Sequence, residues 1–238
     1  MSSPLRIDGM WPSPVVLSRG WARATARPWN DDIEDAFLRL ERGSQAFLQS
    51  ATRSMAQFGL EKVLSPALYP GTTRLWEKCG YEEVRRLTVM ERSLSLPIES
   101  PPTPVAALEP DWVAITRLDQ SSFSGFWRMS LSGLQEALNS TTKSAVLCSM
   151  SGSELAGYAI VGAQWGVSYL QRIAVGPGHR GQNIGSSLVR ASLRWGRGSG
   201  SQVMILNVRT DNQPARGLYE KEGFTDTGTS LRILSCAL

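Results

Sequence analysis

The sequence has 238 residues, of which 42% are apolar and 19% charged, and a formal net charge of +4. That composition fits one large or two small folded domains and excludes a disordered or heavily solvated chain. Three scattered cysteines without CxxC spacing and a single histidine argue against a disulfide framework and against a metal site, and the basic excess, with a pI of about 9.2, comes without the dense basic runs of a nucleic-acid binder.

In chain order, Arg6 and Asp8 precede any apolar run, and Val15-Val16-Leu17 is too short for the apolar core of a signal peptide. No run of membrane-spanning length follows. The expectation is a cytoplasmic, reduced chain with no membrane partner. The next marked feature is Leu96 to Pro104, LPIESPPTP. Its prolines favour extended backbone and stop both helix and sheet. It is expected to link a first domain, residues 1–95, to a second, residues 105–238.

Beyond it, Asp111 to Leu118 reads as a strand, and Ser121 to Arg128 and Ser132 to Asn139 as short helices. Lys143 to Met150 and Glu154 to Ala163 read as a hairpin turning at Ser151-Gly152-Ser153, followed by a strand over Gly166 to Val175. A loop, Gly176 to Asn183, leads into a helix over Ile184 to Arg197. Gln202 to Val208 reads as a strand, Asn212 to Glu222 as a helix capped by Gly223, and Leu231 to Leu234 as a last strand. Strands joined through helices make a mixed α/β unit.

The chemistry concentrates in Tyr169 to Val189, YLQRIAVGPGHRGQNIGSSLV. A buried strand enters a glycine-rich loop that opens a helix. Backbone N–H groups in such a loop form an anion nest, and the helix N-terminus adds partial positive charge. Arg180 adds a fixed cation. The loop lacks the Gly-Lys-Ser/Thr end of a Walker A and the GxGxxG of a dinucleotide site.

The pattern Arg180-x-x-Asn183-x-Gly185 resembles the acyl-CoA signature of the GNAT superfamily of N-acyltransferases, Q/R-x-x-G-x-G/A. The stretch Leu206 to Phe224, LNVRTDNQPARGLYEKEGF, resembles the same family's second motif through Asn212, Ala215, Leu218-Tyr219 and Gly223-Phe224. The resemblance covers roughly residues 105 to 238. It implies an α/β fold with a mostly antiparallel sheet flanked by helices. It also implies acetyl transfer from acetyl-CoA to a primary amine. On it, acetyl-CoA is held by Ile173, Ala174 and Val175, splayed at a bulge, by Arg180, Gly181, Gln182, Asn183, Ile184, Gly185 and Ser186, and by the Asn212 amide. Tyr219 is the general acid.

Two departures stand out. Asn183 replaces the motif's middle glycine, and Asn is the residue other than glycine that best tolerates positive φ. Asn207 stands where the resembling ribosomal-protein N-terminal acetyltransferases carry a glutamate, and an amide takes no proton at neutral pH. Asp211, Glu222 and His179 are weaker candidates for the base. Without one, a lysine amine costs about 4.6 kcal/mol to deprotonate at pH 7 and an α-amine about 1. The acceptor stays open among a peptide N-terminus, a lysine and a small molecule, as does the oligomeric state. Phe126-Trp127-Arg128 are candidates for the acceptor wall. An acyl-CoA-binding regulatory module is the alternative reading.

The first half repeats the second at an offset of 143 residues. Leu75 to Tyr81, LWEKCGY, falls on Leu218 to Phe224, LYEKEGF. The same offset lays Ser44 to Gly59 over the phosphate-site helix, Leu60 to Leu64 over a strand, and FLRLER, residues 37–42, over the glycine loop. FLRLER holds no glycine, and Trp76 stands in place of Tyr219. The first domain therefore reads as a degenerate, truncated GNAT-like half without a catalytic site, lacking a counterpart of residues 105–143.

Overall fold

The computed structural model describes residues 4–30 and 32–238. The chain forms two compact units, residues 1–87 with 229–238, and residues 88–228.

The first unit starts with β1 (Arg6–Asp8), β2 (Val15–Arg19), β3 (Ala22–Trp29) and β4 (Asp32–Arg42), each antiparallel to the one before. Alternation drives the pleat: Val15, Leu17, Ala22, Ala24 and Ala26 are buried, while Val16, Arg23, Thr25 and Arg27 face outward. Helix α1 (Gln45–Ser54) crosses from β4 to β5 (Lys62–Leu64), which pairs parallel to β4. Ser44 caps α1, its Oγ accepting the Phe47 N–H at 3.3 Å. Helix α2 (Pro70–Glu77) and β6 (Glu82–Ser93) follow. Phe47, Leu48 and Ala51 of α1 and Trp76 of α2 fill the core over β2, β3 and β4.

In the second unit come β7 (Ala106–Ala107), α3 (Trp112–Ser122), α4 (Leu131–Leu138), β8 (Lys143–Ser151), β9 (Glu154–Gln164) and β10 (Val167–Val175). Then come α5 (Ile184–Gly198), β11 (Val203–Arg209) and α6 (Gln213–Lys221). The strand order is β6-β11-β10-β9-β8-β7, with β10 and β11 parallel. Helix α5 packs on one face through Leu188, Val189 and Leu193; α3 and α4 pack on the other through Ile115, Leu118 and Leu134. Strand β9 is buried on both faces, hence its unbroken apolar run. A Cβ at Gly157 would lie 2.9 Å from Ile184 Cγ2, so this glycine lets the start of α5 sit close on the sheet. The last strand, β12 (Thr225–Ala237), pairs with β5 through Ser235↔Leu64 in the first unit.

Three expectations shift. Residues 111–118 are helix, not strand. Their β-branched Val113, Ile115 and Thr116 suggest extension, but the Asp111 carboxylate caps the Val113 and Ala114 N–H groups at 3.1 Å each. Ile115, Leu118 and Asp119 then share one buried face. Residues 121–128 hold the last residues of α3 and a single 3₁₀ turn, Gly125–Trp127, instead of a helix. The proline-rich stretch lies inside the second unit rather than between two. The Pro97 carbonyl accepts from Arg92 Nη2 at 2.6 Å, Glu99 pairs with Arg190 at 2.7 Å, and Thr103 donates N–H and Oγ1–H to Ser187 Oγ at 2.8 Å each. Proline's lack of an N–H suits a segment that bonds to side chains instead of a ladder.

The repeat is real but gapped. Trp76 and Tyr81 meet edge to face at 4.8 Å, as Tyr219 and Phe224 do at 5.9 Å. Gly80 and Gly223, at φ +89 and +84, end α2 and α6 with the same crossed pair of backbone bonds. The ungapped register fails upstream. FLRLER belongs to strand β4, not to a loop. β1 pairs with β2 as β7 pairs with β8, so what the first unit lacks is the helix pair α3 and α4, not the first strand.

Candidate active site

Strands β10 and β11 pair only from Val167↔Val203 to Leu170↔Leu206. Beyond Leu170 they run on without pairing, to Val175 and Arg209, and open a wedge. The divergence starts at a bulge. Against β9, Leu170 faces Val161 and Arg172 faces Ile160, leaving Gln171 over. A bulge bends its strand and ends pairing. The sequence places it at 173–175; the structure has it at Gln171, with 173–175 as the strand beyond. The Gly176 N–H donates to the Ala156 carbonyl at 2.9 Å. Antiparallel alternation therefore turns the backbone of Ala174 toward β9 and the N–H groups of Ile173 and Val175 toward the wedge.

Residues 176–183 carry the chain from β10 to α5. A single 3₁₀ turn, Pro177–His179, precedes Arg180, and the exposed tip holds Gly181 at φ +76 and Asn183 at φ +63. Asn183 is the N-cap of α5 but gives no side-chain cap, and the first turn carries no acid. The leading N–H groups thus have no side-chain acceptor, the condition for an anion site. Ile184 and Ser186 are buried beneath them. A Cβ on Gly185 would lie 3.1 Å from Leu218 Cδ2, so this glycine also brings α5 against α6. Arg180 does not point freely into the loop; its Nη2 donates to the Ser122 carbonyl at 3.3 Å. Gln182 Nε2 donates to Gly178 O at 3.3 Å.

Asn212 is the N-cap of α6, its Oδ1 accepting the Ala215 N–H at 3.3 Å. Tyr219, about two turns on, belongs to the hydrophobic cluster that includes Ile173, Val175, Leu206 and Val208, residues of the two wedge arms. It is 6% exposed. Its hydroxyl has no hydrogen-bond partner among the described residues. Burial pushes its pKa up to about 12, with the Arg172 charge acting against that rise.

Asn207 is exposed on β11 just past the last paired residue. Asp211 is held by the Arg209 fork at 2.6 and 2.9 Å. Glu222 is buried, not solvated, and pairs with Arg190 at 2.7 Å. His179 lies 3.6 Å from Glu154 and lines a cavity of about 220 Å³ between α3 and the loop. The described residues contain no metal-binding cluster.

A buried charge network escaped the sequence reading. Asp119, fully buried, receives Arg172 Nε and Nη2 at 2.7 and 2.8 Å, the Tyr158 hydroxyl at 2.6 Å and the Met129 N–H at 2.9 Å. Arg172 also donates to the Trp127 carbonyl at 2.7 Å and lies over the Phe123 ring at 3.6 Å. Its signals were an arginine within an apolar strand and an aspartate on the apolar face of a helix.

The Acetyltransferase (GNAT) family matches residues 112–224, a span that holds the wedge, the loop and Tyr219. The chain carries a GNAT acetyltransferase domain. The family supplies its class of chemistry, acyl-CoA-dependent acetyl transfer. A putative ribosomal protein bS18-alanine N-acetyltransferase of Bacillus subtilis is 29% identical over 48% of this chain and 74% of its own length. The N-alpha-acetyltransferase RimI of Mycobacterium tuberculosis is 38% identical over 34% of this chain and 52% of its own. A mycothiol acetyltransferase of Corynebacterium glutamicum is 41% identical over 29% of this chain and 26% of its own length, so the likeness there spans about a quarter of the relative. Among solved structures, a tandem GNAT protein from the clavulanic acid biosynthesis pathway superposes at a TM-score of 0.66 with 14% identity, covering 100% of this chain and 84% of that one. A GNAT from Sphaerobacter thermophilus gives 0.62 with 16% identity, over 97% and 82%. At these identities the likeness is one of fold. It extends the GNAT pattern over both units, as a tandem repeat. No helix among the described residues is long and apolar enough to cross a membrane.

Proposed function

We propose that the second unit transfers an acetyl group from acetyl-CoA to a primary amine of low pKa, and that the first unit is not catalytic. The observation that carries this reading is the meeting of three features. A strand wedge has two N–H donors turned inward, a positive-φ loop leaves a helix N-terminus open, and the hydroxyl of a largely buried tyrosine has no partner among the described residues. The loop and the first turn of α5, residues 180–186, would hold the pyrophosphate. The N–H groups at 173 and 175 would hold the pantetheine arm and the thioester carbonyl. The Asn212 oxygen is occupied by its cap, so only its Nδ2 is offered to the ligand.

The amine nitrogen attacks the thioester carbonyl, a C–N bond forms, and the C–S bond breaks. With the pKa of Tyr219 at about 12 and that of a thiol near 8.5, full proton transfer to sulfur is uphill by about 5 kcal/mol. The hydroxyl therefore acts as a hydrogen-bond donor to the developing thiolate. The thiol proton comes finally from solvent, and the amine proton leaves to solvent. The carboxylates near the wedge, Asp119, Asp211, Glu220 and Glu222, are each paired with an arginine, so none stands free to take it, which favours an α-amine over lysine. The kinship with N-alpha-acetyltransferases supports the same acceptor class.

Calorimetry with acetyl-CoA and thiol release from alanine-initiated peptides, lysine peptides and small amines test this. The expected result is one equivalent bound per chain and turnover of peptides with free α-amines. Two equivalents would give the first unit a site of its own. Binding without turnover of any amine would leave an acyl-CoA-sensing module. The protonated hydroxyl also predicts no descending limb of kcat/KM with acetyl-CoA below about pH 10.

A further inference from the structure

The fold gives no reason for a buried charge pair beside the wedge, since a well-packed apolar pair would be as stable. What the pair holds is specific. From β10, Arg172 grips Asp119 of α3 and the Trp127 carbonyl, and Asp119 in turn holds the Met129 N–H. From the other arm, the Arg209 guanidinium lies 5.3 Å from the Trp127 ring, itself fixed by the Asp211 fork. Trp127 is thereby tied to both strands where they diverge. The segment between α3 and α4 has almost no regular structure of its own to keep it there: one 3₁₀ turn, with the Trp127 and Arg128 N–H groups bonded locally at 3.0 and 3.1 Å.

We infer that Arg172 is a positioning residue, which through Asp119 and the Trp127 carbonyl holds residues 123–129 as the acceptor-side wall of the wedge. This rests on the reading of the wedge as the acetyl-transfer site. Arg172 touches neither the thioester nor the amine in this scheme. It sets the gap through which the amine enters, and its charge, near enough to act on the Tyr219 hydroxyl, favours a donor over a bystander. A lysine cannot reproduce the fork, because it offers a point charge in place of two parallel N–H bonds.

The test pairs kinetics on an alanine-initiated peptide with amide hydrogen exchange. Arg172→Lys should raise the acceptor KM at least tenfold, speed exchange at residues 127–129 at least tenfold, and leave the acetyl-CoA Kd within twofold. Arg172→Gln strands the Asp119 carboxylate and is expected to lower Tm sharply. The double variant Asp119→Asn/Arg172→Gln removes both charges and should recover Tm without recovering the acceptor KM or the slow exchange. Trp127→Ala, at a half-exposed ring, should raise the acceptor KM with the charge pair intact. Unchanged exchange at 127–129 with an acceptor KM within twofold in Arg172→Lys would overturn the inference. So would full recovery of KM in the double variant, which would make the network purely structural. If the wild type binds acetyl-CoA but acetylates no peptide, the functional reading fails on its own, and the exchange measurement still decides whether Arg172 holds the wall.

Discussion

The two units join strand to crossover helix in different ways, and the difference separates a packing element from a candidate site. In the second unit residues 176–183 lie between β10 and α5, with two positive-φ positions and an uncapped helix start. In the first unit only residues 43–44 lie between β4 and α1. Ser44 there satisfies the Phe47 N–H that a ligand would need, and a Cβ on Gly43 would lie 2.5 Å from Phe47 Cδ1, so the joint is filled by the protein itself. The same contrast recurs at the helix that follows. Tyr219 keeps a hydroxyl without a partner, whereas Trp76 is 3% exposed and Tyr81 beside it spends its hydroxyl on Thr52 at 2.8 Å. On the proposed reading, the first unit keeps the sheet but not the site, with its loop shortened and its helix capped.

The largest effect is expected where the two aromatic positions are exchanged for the same residue. Tyr219→Phe keeps the ring against Phe224 and removes the donor, so kcat should fall by roughly 10²–10³ with little change in acetyl-CoA Kd, as for the loss of one preorganised donor. Trp76→Phe, at the matching place, should leave kcat alone and cost about 1–3 kcal/mol of packing, read as a shift in Tm. Similar small losses of kcat in both variants would make Tyr219 a packing residue.

How much of this was legible in the sequence depended on whether a signal was local. The glycine loop, α5, α6 and its Gly223 cap are local patterns, and their residues announced them. The repeat was legible through Trp76 and Gly80, yet its register was not. A deletion in the loop is invisible to an ungapped comparison, and FLRLER looked like a failed loop when it is a strand. Residues 111–118 misled because β-branched residues outweighed the single capping Asp111. The Arg172–Asp119 pair was out of reach, since its partners stand 53 positions apart and meet only once α3 packs on the sheet. Positions 173–175 were placed correctly on the strand, but the bulge two residues earlier depends on the register with β9.

A smaller effect is expected from the tip of the loop. Gly181 stands at φ +76 with open space where a Cβ would go, so Gly181→Ala introduces backbone strain and no clash. That strain is about 1–2 kcal/mol, which should weaken acetyl-CoA binding about 5–30-fold if the ligand requires this conformation. Gly43→Ala in the first unit offers the contrast, since its Cβ meets Phe47 and should lower Tm without touching the Kd. A Kd unchanged by Gly181→Ala, measured by calorimetry, would remove the loop from the binding site.

The smallest effect comes from Asn183, and it bears on why the motif departs from glycine here. Asn183 already holds the left-handed conformation at φ +63, so replacing it by glycine changes no backbone angle. Glycine relieves the residual strain of a side chain at positive φ, but it also gives the unfolded chain more freedom, and the two oppose each other at a few tenths of a kcal/mol. Tm should therefore move by no more than about 2 °C. For the ligand the terms do not oppose. The Asn183 side chain makes no cap bond to α5, so removing it leaves no helix N–H less satisfied and only widens the approach to the nest. Asn183→Gly should tighten acetyl-CoA binding by up to about threefold, less than 1 kcal/mol. A loss of affinity would instead mean that the Asn183 amide itself touches the pyrophosphate. The asparagine would then be a ligand group in this unit rather than a tolerated substitute for glycine.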